Sequence, residues 1–157
     1  MLISFKSFAC DCECKGDCSF ISVSNGIEFV ALVKIVEYTD FVKIYTDKSE
    51  KLMPLAMIVE VIKKYKGKES RIKIKIWGDD GMLCRPYIHY FNIGDYFLIA
   101  PQIINENSEN GKENDYEFFT CWTDHLKVDY EKKIAFGEYS KRKNKISLKR
   151  FEKEFKK

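Results

Sequence analysis

The pattern of apolar residues predicts a first β-strand in residues 27–36. This run is rich in β-branched side chains, which favour strands. Its alternate apolar positions share one face, because side chains along a strand repeat every two residues. These positions are Phe29, Ala31, Val33 and Ile35. The polar residues 38–53 predict a loop or an excursion from the sheet, and Pro54 precedes a second apolar run over 55–62.

The clearest strand pattern covers residues 71–77. Ile72, Ile74 and Ile76 alternate with basic residues and are predicted to point into the core. Three further strands are predicted from short apolar segments at 96–100, 116–122 and 134–139, the last at a sheet edge. The polar residues 105–115 between two of these segments predict an exposed loop of the hairpin type.

A helical pattern begins at Ser147, which can cap the helix. Leu148, Phe151 and Phe155 recur at spacings of three and four and so form one apolar stripe. Five or six short strands with glycine-containing turns and one terminal helix predict an all-β fold, a closed antiparallel barrel followed by a helix. Closure would remove the exposed edges that such strands otherwise present.

Composition and charge narrow the classes of function. The 157 residues, 45% hydrophobic and 15% aromatic, suffice for one domain with a real core. The sequence has no run of 18 uncharged apolar residues that would predict a membrane-spanning helix. A net charge of +3 gives little reason to expect a nucleic-acid partner. Residues 141–157 are strongly basic, so we expect this helix to pack on the barrel and to make peripheral contact with membrane or cell wall.

Six cysteines are distributed unevenly, with four clustered near the start, at Cys10, Cys12, Cys14 and Cys18, and two isolated, at Cys84 and Cys121. An even number in a small domain favours disulfides in an oxidising compartment, although six cysteines allow 15 pairings. Zinc is the rival interpretation, but the isolated cysteines have no second cysteine nearby, and no histidine has a partner at ligand spacing. We therefore predict disulfides, with no intrinsic metal and no cofactor.

The first nine residues point to export. Ser7, Phe8 and Ala9 fit the small-x-small rule for signal-peptidase cleavage after Ala9, so residues 1–9 are predicted to be the remnant of a signal peptide. An ordinary apolar first strand and a lipobox at Cys10 are the alternatives. Export predicts a secreted, periplasmic or cell-surface protein, in agreement with the disulfides.

The sequence predicts no catalytic residue. His89 and His125 have no serine or cysteine elbow beside them, so structural histidines are expected. Aspartates such as Asp79 and Asp95 lie beside or near glycines, where turn formation explains them. The chain is therefore predicted not to be an enzyme.

Several segments, in their order, resemble one family. They are the Cys-x-Cys of 12–14, the strand 29–34, Lys-Tyr-Lys-Gly at 64–67, Leu-Cys at 83–84, Tyr-Phe-Leu-Ile-Ala at 96–100 and Thr-Cys at 120–121. Together they are similar to the netrin-like module, the OB-fold barrel of the tissue inhibitors of metalloproteinases, and more closely to a secreted bacterial relative. The resemblance extends over roughly residues 10–125 and implies an OB-fold barrel of five to six strands in residues 10–140.

The resemblance also implies disulfides, because in that family two cysteines of an N-terminal Cys-x-Cys bond two isolated downstream cysteines. If Cys12 and Cys14 are this pair, Cys12 bonds Cys84 and Cys14 bonds Cys121, and the other two clustered cysteines can bond each other. We favour this register because the spacing from Cys14 to the first strand fits the family.

A second register follows if cleavage after Ala9 makes Cys10 the first residue of the mature chain. The implied bonds are then Cys10–Cys84, Cys12–Cys121 and Cys14–Cys18. The choice between the registers decides which residues can act as an inhibitory N-terminus.

The inhibitors of this family chelate a protease's catalytic zinc through the α-amine and carbonyl of their first cysteine and displace its water. The candidates for this role are Cys10 followed by Asp11, or Cys12 followed by Glu13. A carboxylate entering a mostly apolar specificity pocket must lose its hydration, which argues against inhibition. The resemblance thus implies a monomeric binding domain whose partner is a protein, with a zinc metalloprotease as one candidate.

Two other functions compete with inhibition. One is a surface module that binds protein or glycan without inhibiting a protease. The other, less favoured, is an OB-fold nucleic-acid binder that would use basic strand residues for phosphates and tyrosines for stacking. Its candidate residues are Arg71, Lys73, Lys75, Tyr87, Tyr90 and Tyr96.

Overall fold

The computed structural model describes residues 12, 14, 16–46 and 49–155. Within these residues there are nine strands: β1 Val30–Thr46, β2 Ser49–Lys66, β3 Lys73–Trp77, β4 Tyr96–Ile99, β5 Gln102–Ile103, β6 Tyr116–Glu117, β7 His125–Asp129, β8 Ile134–Ser140 and β9 Lys143–Ser147. The helices are α1 Phe20–Gly26 and α2 Leu148–Phe155, and a 3-10 turn covers Ile88–Tyr90.

The strands form one mixed sheet in the order β5-β6-β3-β2-β1-β4-β7-β8-β9. Neighbours run antiparallel except β3 and β6, which are parallel. The strands at the two ends of this order, β5 and β9, do not pair with each other, so the sheet is not closed. The predicted closed antiparallel OB-fold barrel of five to six strands is therefore wrong.

The sheet is open and not a closed barrel because its central strands are buried on both faces. Ala31, Val33 and Ile35 of β1 lie in one core cluster, as predicted. The alternate residues Val30 and Leu32 lie in a second cluster on the opposite face. A continuous apolar run such as 29–33 is typical of a strand covered on both sides, whereas a barrel strand facing water on one side alternates apolar and polar residues.

The two helices belong to this second cluster. The ring of Phe20 in α1 lies 5.8 Å from that of Phe151 in α2, and both side chains are fully buried. The Ser147 hydroxyl accepts the Arg150 backbone N–H at 3.3 Å, which confirms the predicted cap. Helix α2 begins only after β9, so the basic segment predicted to be a helix over 141–157 is, in its described residues 141–155, part strand and part helix.

The hairpin of β1 and β2 extends well beyond its neighbours. Residues 38–53 were predicted to be a loop or an excursion, but the described residues among them, 38–46 and 49–53, belong to these two strands. The flanking strands reach only the proximal part, since β4 pairs with residues 31–34 and β3 with residues 56–60. The distal part, residues 39–46 and 49–55, is a two-stranded ribbon with large apolar side chains exposed. These are Phe41, Ile44, Tyr45 and Leu52.

The remaining strand predictions are confirmed in part. Ile74 and Ile76 are buried as expected, but Ile72 precedes β3 and is 71% exposed. The predicted strand 116–122 ends at Glu117, and β7 was not predicted. β8 is not an edge strand, because β9 pairs on its far side. Lysines in β9 are typical of an edge that resists pairing with another chain.

Substitution of the shared aromatic residue of the helices tests the second cluster. We expect Phe151→Ala to lower the free energy of unfolding by about 3–5 kcal/mol, because it leaves a cavity between α1, α2 and the sheet. Phe136→Ala is the matched control, since Phe136 is 43% exposed. Urea unfolding followed by circular dichroism measures both, and equal losses would contradict this account of the core.

Candidate functional site

The first described residues belong to a disulfide-linked segment. Cys12 bonds Cys121, with their Cα atoms 4.9 Å apart, and Cys14 bonds Cys18, with their Cα atoms 6.0 Å apart. Cys84 is also disulfide-bonded. The favoured register, in which Cys12 bonds Cys84 and Cys14 bonds Cys121, is therefore wrong.

The two described bonds are those of the second register. Of the candidate N-terminal residues, Cys10, Asp11 and Glu13 lie outside the described residues, as does the partner that this register gives to Cys84. Among the described cysteines none is free.

Local backbone contacts favour the Cys14–Cys18 bond. The Cys14 carbonyl accepts the Gly16 N–H at 3.0 Å, and Gly16 has a φ of 126°, which a side chain would disfavour. The Asp17 carboxylate accepts the Ser19 N–H at 3.0 Å just before α1, and hydrogen bonds from Ser19 lower the pKa of Asp17. This tight turn brings Cys14 and Cys18 together and leaves Cys12 to bond Cys121.

A buried carboxylate holds the loop that carries Cys121. Asp124, only 1% exposed, accepts the Phe119 N–H at 2.6 Å and contacts His125 Nδ1 at 2.8 Å. Burial raises the pKa of Asp124 despite these hydrogen bonds. His125 also packs against the ring of Phe118, at 4.9 Å, which agrees with the predicted structural role of this histidine.

The same loop brings the two isolated cysteines to one place. The Thr120 N–H donates to the Cys84 carbonyl at 2.9 Å, so Cys84 lies beside Cys121. A cavity of about 370 Å³ opens here and is lined by Cys14, Gly16, Asp17, Cys18, Thr120, Cys121, Trp122, Thr123, Glu138 and Lys141. The Trp122 indole N–H is buried and has no hydrogen-bond partner within the described residues.

A second and larger cavity, of about 700 Å³, lies between the start of β1, the β2–β3 connection and β5. It is lined by Gly26, Ile27, Glu28, Phe29, Lys68, Glu69, Ser70, Arg71, Pro101, Gln102, Ile103, Asn105, Asn114 and Tyr116. Sequence reasoning did not find it, because its wall comes from segments that are far apart in the chain.

A charged cluster forms one wall of the larger cavity. Arg71 Nε and Nη2 donate to the two carboxylate oxygens of Glu69, at 3.0 and 2.7 Å, and the Tyr116 hydroxyl donates to the same carboxylate at 2.8 Å. Bonding from Arg71 lowers the pKa of Glu69 to about 2. Burial, aided by the neighbouring carboxylate, raises the pKa of Tyr116 to about 12.

Three of the six nucleic-acid candidates have partners within the described part of the fold. Arg71 is engaged by Glu69, and Lys75 forms an ion pair with Asp40 at 2.7 Å. Tyr96 stacks on Tyr130, with ring centres 4.1 Å apart.

Comparisons with known proteins add no assignment: no family model and no curated protein matches this chain. In the described part of the chain, no cluster of three or more His, Cys, Asp or Glu residues is placed to hold a metal ion. No described helix is long and apolar enough to cross a membrane.

Removal of each described disulfide tests its contribution. The Cys12–Cys121 bond spans 109 residues and the Cys14–Cys18 bond spans four. In the chain-entropy treatment, replacing both cysteines by serine should cost about 4–5 kcal/mol for the long loop and about 2 kcal/mol for the short one. Thermal unfolding of the two double variants compares them, and a larger loss from the short loop would contradict this order.

The Glu69 cluster predicts a pH-dependent stability. The carboxyl pKa falls from its ordinary 4.5 to about 2 on folding. Its stabilisation is therefore complete above pH 4.5 and is lost as the pH falls toward 2. We expect Glu69→Gln to lower the free energy of unfolding by about 2 kcal/mol at pH 7 and by much less near pH 2.5. Denaturant unfolding across this range measures the difference, and exposed Glu113→Gln, the control, should change little at any pH.

Proposed function

We propose that this chain is an exported, non-enzymatic binding domain that presents the segment ahead of Cys12 to a protein partner. The observation that supports the proposal is the Cys12–Cys121 bond, which ties this segment to the loop held by Asp124. A segment anchored in this way loses less conformational freedom on binding than a free terminus does. The disulfides favour a secreted, periplasmic or cell-surface location.

We extend the proposal to a netrin-like inhibitor of zinc metalloendopeptidases. The two described bonds are those implied when Cys10 and Cys12 form the family's Cys-x-Cys. In this register, Cys10 is the first residue of the mature chain and bonds Cys84, which lies beside Cys121. The α-amine and carbonyl of Cys10 would then occupy two positions on the protease zinc and displace the water that the protease needs for hydrolysis.

Asp11 sets the kind of protease that this domain can inhibit. As the second residue, its side chain enters the pocket beside the zinc. An ionised carboxylate is costly to bury unless a hydrogen-bonded cation compensates it. We therefore expect the partner to carry Lys or Arg in that pocket, and proteases with a wholly apolar pocket to be inhibited poorly.

The second candidate is a surface module that binds a protein without inhibiting it. The exposed apolar side chains of the distal ribbon favour this candidate, because such patches mark interaction surfaces. Under either candidate function, we propose that the domain is monomeric. Peripheral contact with membrane or cell wall would involve exposed basic side chains of the β8–β9 hairpin and of α2, not the apolar stripe of α2, since Leu148 and Phe151 are buried.

Blocking the N-terminal amine tests inhibition. We compare a chain that begins at Cys10 with the same chain extended by one alanine, because the extension removes the amine from the zinc while the disulfides remain. We expect the first form to inhibit at least one zinc metalloendopeptidase at about 1 µM and the extended form to be at least about 100-fold weaker. Residual peptidase activity over a panel that includes enzymes with basic and with apolar pockets measures this.

Intact mass with and without alkylation shows whether both forms carry three disulfides and are therefore matched. Equal inhibition by the two forms would exclude chelation by the Cys10 amine. If neither form inhibits any enzyme in the panel, the inhibitory function is wrong and the non-inhibitory module is the remaining candidate.

A further inference from the structure

We propose that the larger cavity binds a neutral saccharide unit. It shares no lining residue with the cavity beside the disulfides, so this inference is independent of the function proposed above. Its volume of about 700 Å³ lies within the range of small-molecule sites.

The wall of the cavity is organised before any ligand binds. The Glu69 carboxylate accepts four hydrogen bonds, from the Arg71 backbone N–H, from Arg71 Nε and Nη2, and from the Tyr116 hydroxyl. Arg71 Nη2 also donates to the Asn114 carbonyl at 2.6 Å. Glu69 therefore has no acceptor capacity left for a ligand, and its role is to fix Arg71 and Tyr116 in place.

The hydrogen-bonding capacity that remains lies around the rim. Within the described residues, six lining side chains make no hydrogen bond or ion pair: Glu28, Lys68, Ser70, Gln102, Asn105 and Asn114. Four of the six are amides or a hydroxyl, which can both donate and accept. A ligand with many hydroxyl groups, each of which also donates and accepts, matches this set.

The charges of the cavity favour a neutral ligand. The four charged residues that line the cavity balance, because Lys68 and Arg71 are positive and Glu28 and Glu69 are negative. No net positive charge is therefore left to select a carboxylate or phosphate, and no net negative charge to select a cation.

The floor of the cavity is apolar. The rings of Phe29 and Tyr116 lie 5.1 Å apart, and Ile27, Pro101 and Ile103 complete the apolar lining. The ring face of a pyranose carries C–H groups, which can pack on such a floor while its equatorial hydroxyls reach the rim. The cavity thus has an apolar floor, a lining without net charge and a rim rich in amide side chains. Together these features favour a sugar over an anion or a purely apolar molecule.

The test is an NMR titration of the ¹⁵N-labelled full chain with cellotetraose, maltotetraose and the β-1,4-linked tetramer of N-acetylglucosamine. We expect at least one sugar to shift the backbone or side-chain amides of Gln102, Asn105 and Asn114, with a dissociation constant of about 1 mM or lower. Gln102→Ala should weaken binding by at least about fivefold through the loss of rim hydrogen bonds. Asn144→Ala, in the exposed β9, should leave it unchanged.

Co-sedimentation with insoluble cellulose, starch and chitin then distinguishes a polymer from a free oligosaccharide as the source of the sugar. The spectra also show whether each variant is folded. The proposal is overturned if no sugar shifts the cavity residues at about 20 mM. It is overturned equally if the shifts map elsewhere, if Asn144→Ala weakens binding as much as Gln102→Ala, or if sodium phosphate alone shifts the same residues and displaces the sugar.

Discussion

The burial of both faces of β1 and β4 is the constraint on which the rest of the structure depends. Alternate residues of each strand lie in different clusters, with Phe97 and Ile99 on one face of β4 and Leu98 on the other. Each face must be covered, because exposed apolar surface of this extent is costly in water. One cover is α1 with α2, and the other includes the 3-10 turn and Phe118. In the sheet, β7, β8 and β9 follow on the far side of β4, and the sheet widens instead of closing.

The local sequence pattern predicted those parts of the fold in which the apolar residues of a segment recur on one face and that face is buried. The inward face of β1, the burial of Ile74 and Ile76, and the stripe of α2 are of this kind. The distal ribbon was missed because its apolar and polar residues are mixed without a regular alternation, so that the local pattern does not distinguish it from a loop. Helix α1 was missed because its seven residues, FISVSNG, have little helix propensity. Closure of the sheet depends on which strands meet, and no single segment encodes that.

For the candidate sites, the types of residue and their order along the chain predicted that disulfides form, but not which cysteines pair. The cysteines indicated disulfides, but the register depends on the turn at Gly16 and on the loop held by Asp124. That loop is held by the Asp124 carboxylate, by the disulfide to Cys12, by the buried Phe118 and by backbone hydrogen bonds to Cys84 and Cys18. The larger cavity has no sequence signature at all, since Glu28, Glu69 and Gln102 are brought together only by the sheet.

The two regions each contain one carboxylate, and the fold shifts the pKa values of these two groups in opposite directions. Glu69 is bonded by a cation, which keeps it ionised and lowers its pKa, so acid removes its stabilisation. Asp124 is almost fully buried, and its raised pKa means that the folded state binds a proton more readily than the unfolded chain does. Acid therefore relieves the cost of burying Asp124 while it weakens the wall of the larger cavity. Because the two groups lie in separate regions, acid changes the stability that each carboxylate contributes with opposite sign.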